Sequence, residues 1–291
     1  MLHRAIDPEG RAHWLWSDPE GWRDLSLAGL APGLAQAAAW LAQTTIERQQ
    51  LLAQAPLRPT VDAWKFTLPG RPNKILALGR NFAAHAREMG SEPSLDDMLW
   101  FSKFPEICVA PGAPVEVPAW LPGRIDPEAE LVLVLAKDLR NASEAEAQAA
   151  IAGWTLGNDL TARGVQAEDK KKSWPWVRSK NPAGFGSYGP GWLPADQLCN
   201  WDQLRLQGLV NGELRQEALL ADMLYRPTRA LAELSRWLPL SAGDLLFLGT
   251  PSGVQALEDQ DQLCVRLVNA AGEEPLGQLL NRIDRPSIES A

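Results

Sequence analysis

The sequence predicts a mixed α+β protein, mainly β, with a smaller unit ahead of a larger one. Three observations predict it. From Ala129 to Leu135 apolar residues alternate with a period of two, as in a β-strand. Leu204 to Ala218 and residues 262–281 read as hairpins turning at Asn211-Gly212 and Ala271-Gly272. Helical patterns are confined to separated stretches, chiefly Leu34 to Gln54, Asn141 to Ala150 and Arg226 to Leu238.

Composition narrows the function classes. With 291 residues and 45% hydrophobic content, the chain can build a proper core in about two domains. The expected division is a small N-terminal domain over 1–70, a larger one over 71–284, and a tail over 285–291. The longest apolar run, Leu131 to Ala136, is far short of the ~20 residues a membrane span needs. The opening MLHRAIDPEG lacks the apolar core of a secretory signal. A net charge of -8 disfavours nucleic acid or an anionic membrane as partner. Cys108, Cys199 and Cys264 are odd in number and widely spaced, which argues against disulfides or a zinc-thiolate site and fits a reducing cytoplasm. The 13 tryptophans are scattered, as core or interface anchors would be.

Taken in order, Leu34 onward is expected to form one amphipathic helix, with His3 and His13 on the surface. Lys74 to Leu78 is a short buried strand ended by Gly79. Next, GRNFAAHAREMG reads as a short helix capped by Asn81 and stopped by Gly90, with His85 and Glu88 on one face at i, i+3. A histidine oriented by a carboxylate is a general-base arrangement; the plainer alternative is an ordinary surface pair. Residues 91–122, which include Lys103, read as loop, strand and turn. Ser143 is the expected N-cap of the Asn141 to Ala150 helix, with Glu144 and Glu146 in its first turn. Lys170-Lys171-Lys172 reads as a solvated loop. Gly184 to Gly189 matches G-x-G-x-x-G in letters, but no clear strand precedes it and Pro190 follows, so a dinucleotide site is rejected in favour of a turn. Asp244 to Leu248 is a strand that ends in Gly249-Thr250-Pro251-Ser252-Gly253, a loop able to present N–H groups and the Thr250 hydroxyl to an anion.

The acidic strand carries the chemistry. Glu128 and Glu130, at i and i+2, project from one face roughly 7 Å apart. Like charges beside valines are costly unless a cation lies between them, and a hard divalent ion such as Mg²⁺ suits oxygen ligands. The alternative is an edge strand whose glutamates are solvated. Asp159, at the end of the strand-like run IAGWTLGND, is either a third ligand or the N-cap of the helix bearing Arg163 and Gln166. Arg163 could hold a substrate carboxylate bidentately.

Together and in order, GRNFAAHAREMG, DPEAELVLVLAKD, AGWTLGNDLTARGVQ, SKNPAGFGSYGP, LVNGELRQ and LSAGDLLFLGTPSGV resemble the fumarylacetoacetate hydrolase family from about Lys74 to Asn281. The resemblance implies a mixed β-roll with flanking helices behind a small N-terminal domain, commonly as a homodimer. It implies Glu128, Glu130 and Asp159 as ligands of Mg²⁺ or Mn²⁺, with Ca²⁺ a substitute in crystals. It implies His85 and Glu88 as a catalytic dyad on a lid, Lys180 as the active-site lysine, and Arg163, Gln166 and Thr250 as substrate-binding residues. The implied partner is a small 2-oxo acid, and the reaction favoured by the dyad is hydrolytic C–C cleavage of an acylpyruvate. Decarboxylation of an oxaloacetate-like acid, isomerisation of a hydroxyheptadienedioate, and a non-catalytic scaffold are the alternatives. Phe82 and Pro127 depart from the family's usual residues near the expected pocket, which bears on the substrate rather than on the metal.

Overall fold

The computed structural model describes residues 1–285. Its centre is the strand Ala129–Leu135, every residue of which is buried. Ile151–Asn158 pairs antiparallel on one side of it and Leu245–Phe247 on the other. Beyond Leu245–Phe247 lie Ile75–Gly79, parallel, and then Leu99–Lys103, antiparallel. On the opposite flank Ile151–Asn158 pairs with Gly186–Pro194. Through Leu2 opposite Trp192, that strand leads into Leu2–Ile6, Ala12–Asp18 and Gly21–Asp24. All of these belong to one 12-stranded mixed sheet.

A second sheet of five strands runs Glu213–Leu219, Arg205–Val210, Gln262–Val268, Gln278–Asp284 and Pro114–Glu116. The central strand sends opposite faces into two cores. Leu131, Leu133 and Leu135 pack with Leu206, Leu267 and Leu231, whereas Val132 and Val134 pack with Phe247, Trp192 and Leu41. Each fully buried leucine or valine contributes about 2 kcal/mol. A solvated edge is therefore not the setting of the two glutamates. The Asn211-Gly212 turn is as the sequence predicts: both residues have positive φ, 52° and 80°, and join Arg205–Val210 to Glu213–Leu219. Ser143 caps Glu144–Ala150 through a capping box with Glu146.

Other local expectations are corrected. The single helix expected from Leu34 is two, Leu34–Leu41 and Thr45–Gln54, because Thr44 and Glu47 form a capping box that starts the second afresh. Lys170 and Lys171 are the last turn of the helix Arg163–Lys171 rather than a loop. Of the glycines at 184–189, Gly184 turns the chain with φ +85°, while Gly186 and Gly189 lie within a strand. Any Cβ at Gly186 would meet Cys108 Sγ at 2.8 Å, so this glycine permits close packing. The expected tail, 285–291, lies outside the described residues except for Arg285, whose N–H donates to Asp259 at 2.7 Å.

His13 is not a surface residue. It is buried against Trp64 between two acids, with Nδ1 3.0 Å from Asp24 and Nε2 3.2 Å from Asp7. Asp24 is fully buried and also accepts from Arg58 Nε at 2.9 Å. His3, by contrast, is only half-buried, against Trp22 and Phe66, where its Nδ1 meets Pro190 O at 3.2 Å. Asp24→Ala leaves the Arg58 guanidinium and the His13 ring without their shared buried acceptor and is expected to cost about 3 kcal/mol in denaturant unfolding. Glu20→Ala, which removes the exposed partner of Arg23, should cost less than about 0.5 kcal/mol. Equal costs would show that the buried cluster contributes nothing special.

Candidate active site

Two short elements bring the acidic side chains together. Ile125–Asp126 pairs with Thr161–Ala162, which folds the chain ahead of the central strand against the chain that follows Ile151–Asn158. At that junction Asp159 N–H donates to Glu128 O at 2.9 Å, and Glu128 N–H donates to Asn158 Oδ1 at 3.0 Å. Glu128, Glu130 and Asp159 thereby offer carboxylate oxygens within 4.8 Å of one another, all three buried. Asp159 is not a helix cap; Ala162 is the residue that precedes Arg163–Lys171.

Three cations answer this charge. Lys180 Nζ bridges Glu128, at 2.6 Å, and Asp159. Lys103, fully buried, donates to Asp159 Oδ1 at 2.5 Å and to Lys180 O at 2.6 Å. Arg163 spends Nε on Asp126 at 2.8 Å, Nη2 on Glu128 at 2.6 Å and Nη1 on Gln166 Oε1 at 2.8 Å. Asp126 is a fourth buried acid, held further by Arg124. Burial works to raise the Glu128 pKa, but Lys180, Arg163 and His85 outweigh it and hold the carboxyl well below the usual range. Glu130 goes the other way. Burial, then repulsion from Asp159 and Glu128, pushes its carboxyl well above that range, against Lys180 and the Gly249 N–H. Burial disfavours the Lys180 ammonium, yet Asp159 and Glu128 overcome that and raise its pKa.

Beside the acids lies a narrow recess lined by His85, Glu128, Arg163, Gln166, Lys180 and Thr250, among others. Six of the nine residues singled out in the sequence thus face one space. Glu130 and Asp159 sit behind its wall, and Glu88 stands behind His85. The helix Ala83–Glu88 presents His85 Nδ1 3.0 Å from Glu88 Oε2, and Glu88 Oε1 accepts from Gly253 N–H at 3.0 Å. Asn81 does not cap this helix. Its amide donates to Tyr225 O and Leu248 O and its carbonyl accepts from Tyr225 N, anchoring the turn from within. Gln216 Nε2 donates to Thr250 Oγ1 at 2.7 Å, which leaves the hydroxyl hydrogen free to point elsewhere.

Sequence reading passed over Lys103, Asp126, Arg80 and Trp176. No local pattern marks Lys103, whose role depends on a carboxylate 56 residues away. Arg80 had one available signal, its place between Gly79 and Asn81 in a turn after a strand.

The acid cluster fits a divalent cation on its own chemistry. Its donors are all oxygen, they converge, and among the described residues Glu130 has no side-chain cation of its own, only the Gly249 N–H. Glu128, Glu130 and Asp159 would hold such an ion.

Comparison with known proteins agrees with this architecture. Residues 74–284 match the model of the fumarylacetoacetate hydrolase C-terminal domain. The chain belongs to the fumarylacetoacetate hydrolase family. It is 34% identical over 206 residues to the oxaloacetate tautomerase of Escherichia coli K12, covering 69% of this chain and 92% of that one. The mitochondrial oxaloacetate tautomerase of Homo sapiens is 32% identical over 235 residues, 80% of this chain and 99% of its own. Among solved structures, fumarylacetoacetate hydrolase of Exiguobacterium antarcticum superposes with a TM-score of 0.82 at 26% identity, over 98% of this chain and 99% of that one. Fumarylpyruvate hydrolase of Pseudomonas aeruginosa, solved with Mn²⁺ and pyruvate, gives 0.67 at 29% identity over 74% and 91%.

The state of Glu130 would make any cation binding at this cluster pH-dependent. A carboxyl whose folded pKa is raised favours the ion-free fold below its ordinary pKa of 4.5 and loses that contribution as pH rises through the folded value. A divalent ion must displace this proton, so affinity rises with pH by up to about tenfold per unit. Mn²⁺ is expected to raise Tm more at pH 8 than at pH 5.5, and Glu130→Gln should abolish most of the rise. A shift independent of both pH and Glu130 would place the ion elsewhere.

Proposed function

We propose that this chain is a divalent-metal-dependent enzyme that acts on a small 2-oxo acid through its enolate, most specifically hydrolysing the C–C bond of an acylpyruvate. The observation that carries the reading is the convergence of Glu128, Glu130 and Asp159 beside a recess that His85 also lines. A divalent ion bound there supplies a Lewis acid for the 2-oxo acid end of the substrate.

The protein's own groups divide the remaining work. Nδ1 of His85 facing Glu88 favours the tautomer with its proton on Nδ1, which leaves Nε2 as acceptor. In hydrolysis Nε2 takes a proton from water, and the hydroxide adds to the distal carbonyl. The C3–C4 bond then breaks, its electron pair going to C3, and protonation there gives pyruvate and a carboxylic acid. Lys180 remains an ammonium and supplies positive charge beside the developing enolate oxygen. Gln166 has its carbonyl taken by Arg163, so its NH₂ is the end available to the substrate. Thr250 keeps a hydroxyl hydrogen for the same purpose.

A second reading is keto–enol interconversion of oxaloacetate, favoured by the likeness to the E. coli and human tautomerases. It uses the same enolate, with His85 moving a C3 proton instead of activating water. Homodimeric assembly and a cytoplasmic setting belong to the proposal too; the latter draws on three unpaired cysteines. No helix among the described residues is long and apolar enough to cross a membrane.

Turnover of acetylpyruvate and of enol-oxaloacetate, followed with and without EDTA, tests the proposal. Chelation should abolish activity and Mg²⁺ or Mn²⁺ restore it, while His85→Ala lowers kcat by about 10²–10⁴-fold. Activity that survives thorough chelation would remove the metal, and an undiminished His85→Ala would remove the proton transfer.

A further inference from the structure

Lys180 stands at the end of a helix that cannot hold itself. Val177–Lys180 is one turn, far short of the roughly 12–15 residues an isolated helix needs in water. Among the described residues no side chain caps its N-terminus. Yet Ser179 and Lys180 are buried, and Lys180 Nζ is set 2.6 Å from Glu128 Oε2 while it also bridges to Asp159. Two sets of contacts outside the recess hold the turn in place.

The first set follows Lys180. Asn181 Oδ1 accepts from Phe104 N–H at 2.6 Å, and Nδ2 donates to Ser102 O at 3.2 Å and to Val177 O at 3.0 Å. One amide thereby closes the turn and ties it to the residues on either side of Lys103. Lys103 in turn donates to Lys180 O at 2.6 Å and to Asp159. The strand Leu99–Lys103 therefore grips both the lysine backbone and an acid that its side chain meets. The second set precedes Lys180. Arg178 Nε donates to Asp169 Oδ1 at 3.1 Å, and Nη2 reaches the same oxygen. Asp169 is fully buried, and Arg178 is its side chain's only partner among the described residues. It lies on Arg163–Lys171, the helix that also carries Arg163 and Gln166. Arg178 itself rests on Trp174, with Cζ 5.0 Å from the ring centroid.

We propose that Asn181 and the Asp169–Arg178 pair are positioning residues, which set the Lys180 ammonium between Glu128 and Asp159 and fix its place relative to Arg163 and Gln166. The inference rests on the function proposed above, in which Lys180 faces the enolate oxygen, and deepens it by naming what holds that lysine. A fully buried carboxylate with a single, half-exposed partner adds little to stability, so position is the role its geometry supports. Lysine makes the requirement strict. Its flexible four-carbon stem does not orient itself, and an error of about 1 Å at a reacting group can cost about 10²-fold in rate. Asp169, Arg178 and Asn181 stand outside the recess, so replacing them leaves substrate contacts in place and the loss falls on kcat rather than on KM.

Reductive methylation of lysines on the folded protein, read by mass spectrometry, tests the placement without substrate. Lys180 is expected to react at least about tenfold more slowly than the half-exposed Lys172. Asn181→Ala should raise the Lys180 rate about tenfold, the effect of one lost hydrogen bond. Asp24→Ala, which destabilises the fold elsewhere, should leave that rate unchanged. In turnover of acetylpyruvate or oxaloacetate with Mg²⁺, Asn181→Ala and Arg178→Gln should lower kcat by about 10- to 100-fold with KM within about twofold. Arg178→Lys should recover most of the loss. Arg178 is half-exposed and glutamine keeps a donor for Asp169, so Arg178→Gln serves if Asn181→Ala does not fold. Lys180 still protected in both variants, equal exposure in Asp24→Ala, or a loss confined to KM overturns the positioning and leaves the proposed reaction standing. If the wild-type protein turns over none of these acids, the proposed reaction fails and the labelling alone decides the positioning.

Discussion

Three carboxylates buried within 4.8 Å of one another are the constraint around which the molecule is arranged. Each costs several kcal/mol to desolvate, and their mutual repulsion adds to that. The fold meets the cost with Lys180 between two of them, Lys103 beneath and Arg163 on the flank. Among the described residues Glu130 is the acid of the three left with no ion pair, and burial together with its neighbours pushes its carboxyl toward the neutral form. A cluster in this state could take one more positive charge, which is the observation behind the proposed cation site.

The central strand makes that arrangement rigid. Its leucines and valines are locked into separate cores on opposite faces, which fixes the backbone from which Glu130 projects. The loop after Leu245–Phe247 is fixed as firmly, since Gly249 N–H holds Glu130 and Gly253 N–H holds Glu88. Gly253 adopts φ +103°, and a Cβ there would come within 2.0 Å of Arg215 O. One glycine-rich turn thereby ties the acid cluster to the His85–Glu88 pair.

The rim of the recess is built differently. Its aromatic groups are shared, with the Phe101 ring beside both Trp176 and the Lys180 ammonium.

Much of the strand and hairpin framework was legible because period-two alternation and an Asn-Gly turn are local signals, and Ala129–Leu135 and Asn211-Gly212 carry them clearly. The two N-terminal helices were less so: the break at Thr44 turns on one capping box inside an alanine-rich run. His13 was misplaced because its burial comes from Asp7, Asp24 and Trp64, none of which a short window connects. By itself the sequence determined which residue types were available: two acids two apart on a strand, a histidine and glutamate one turn apart, an arginine three before a glutamine. Tertiary structure alone decided which of them meet. Lys103 and Asp159 are 56 residues apart, and Lys180 and Glu128 are 52 apart. Charge compensation between such partners depends on distance in space, which chain order does not encode.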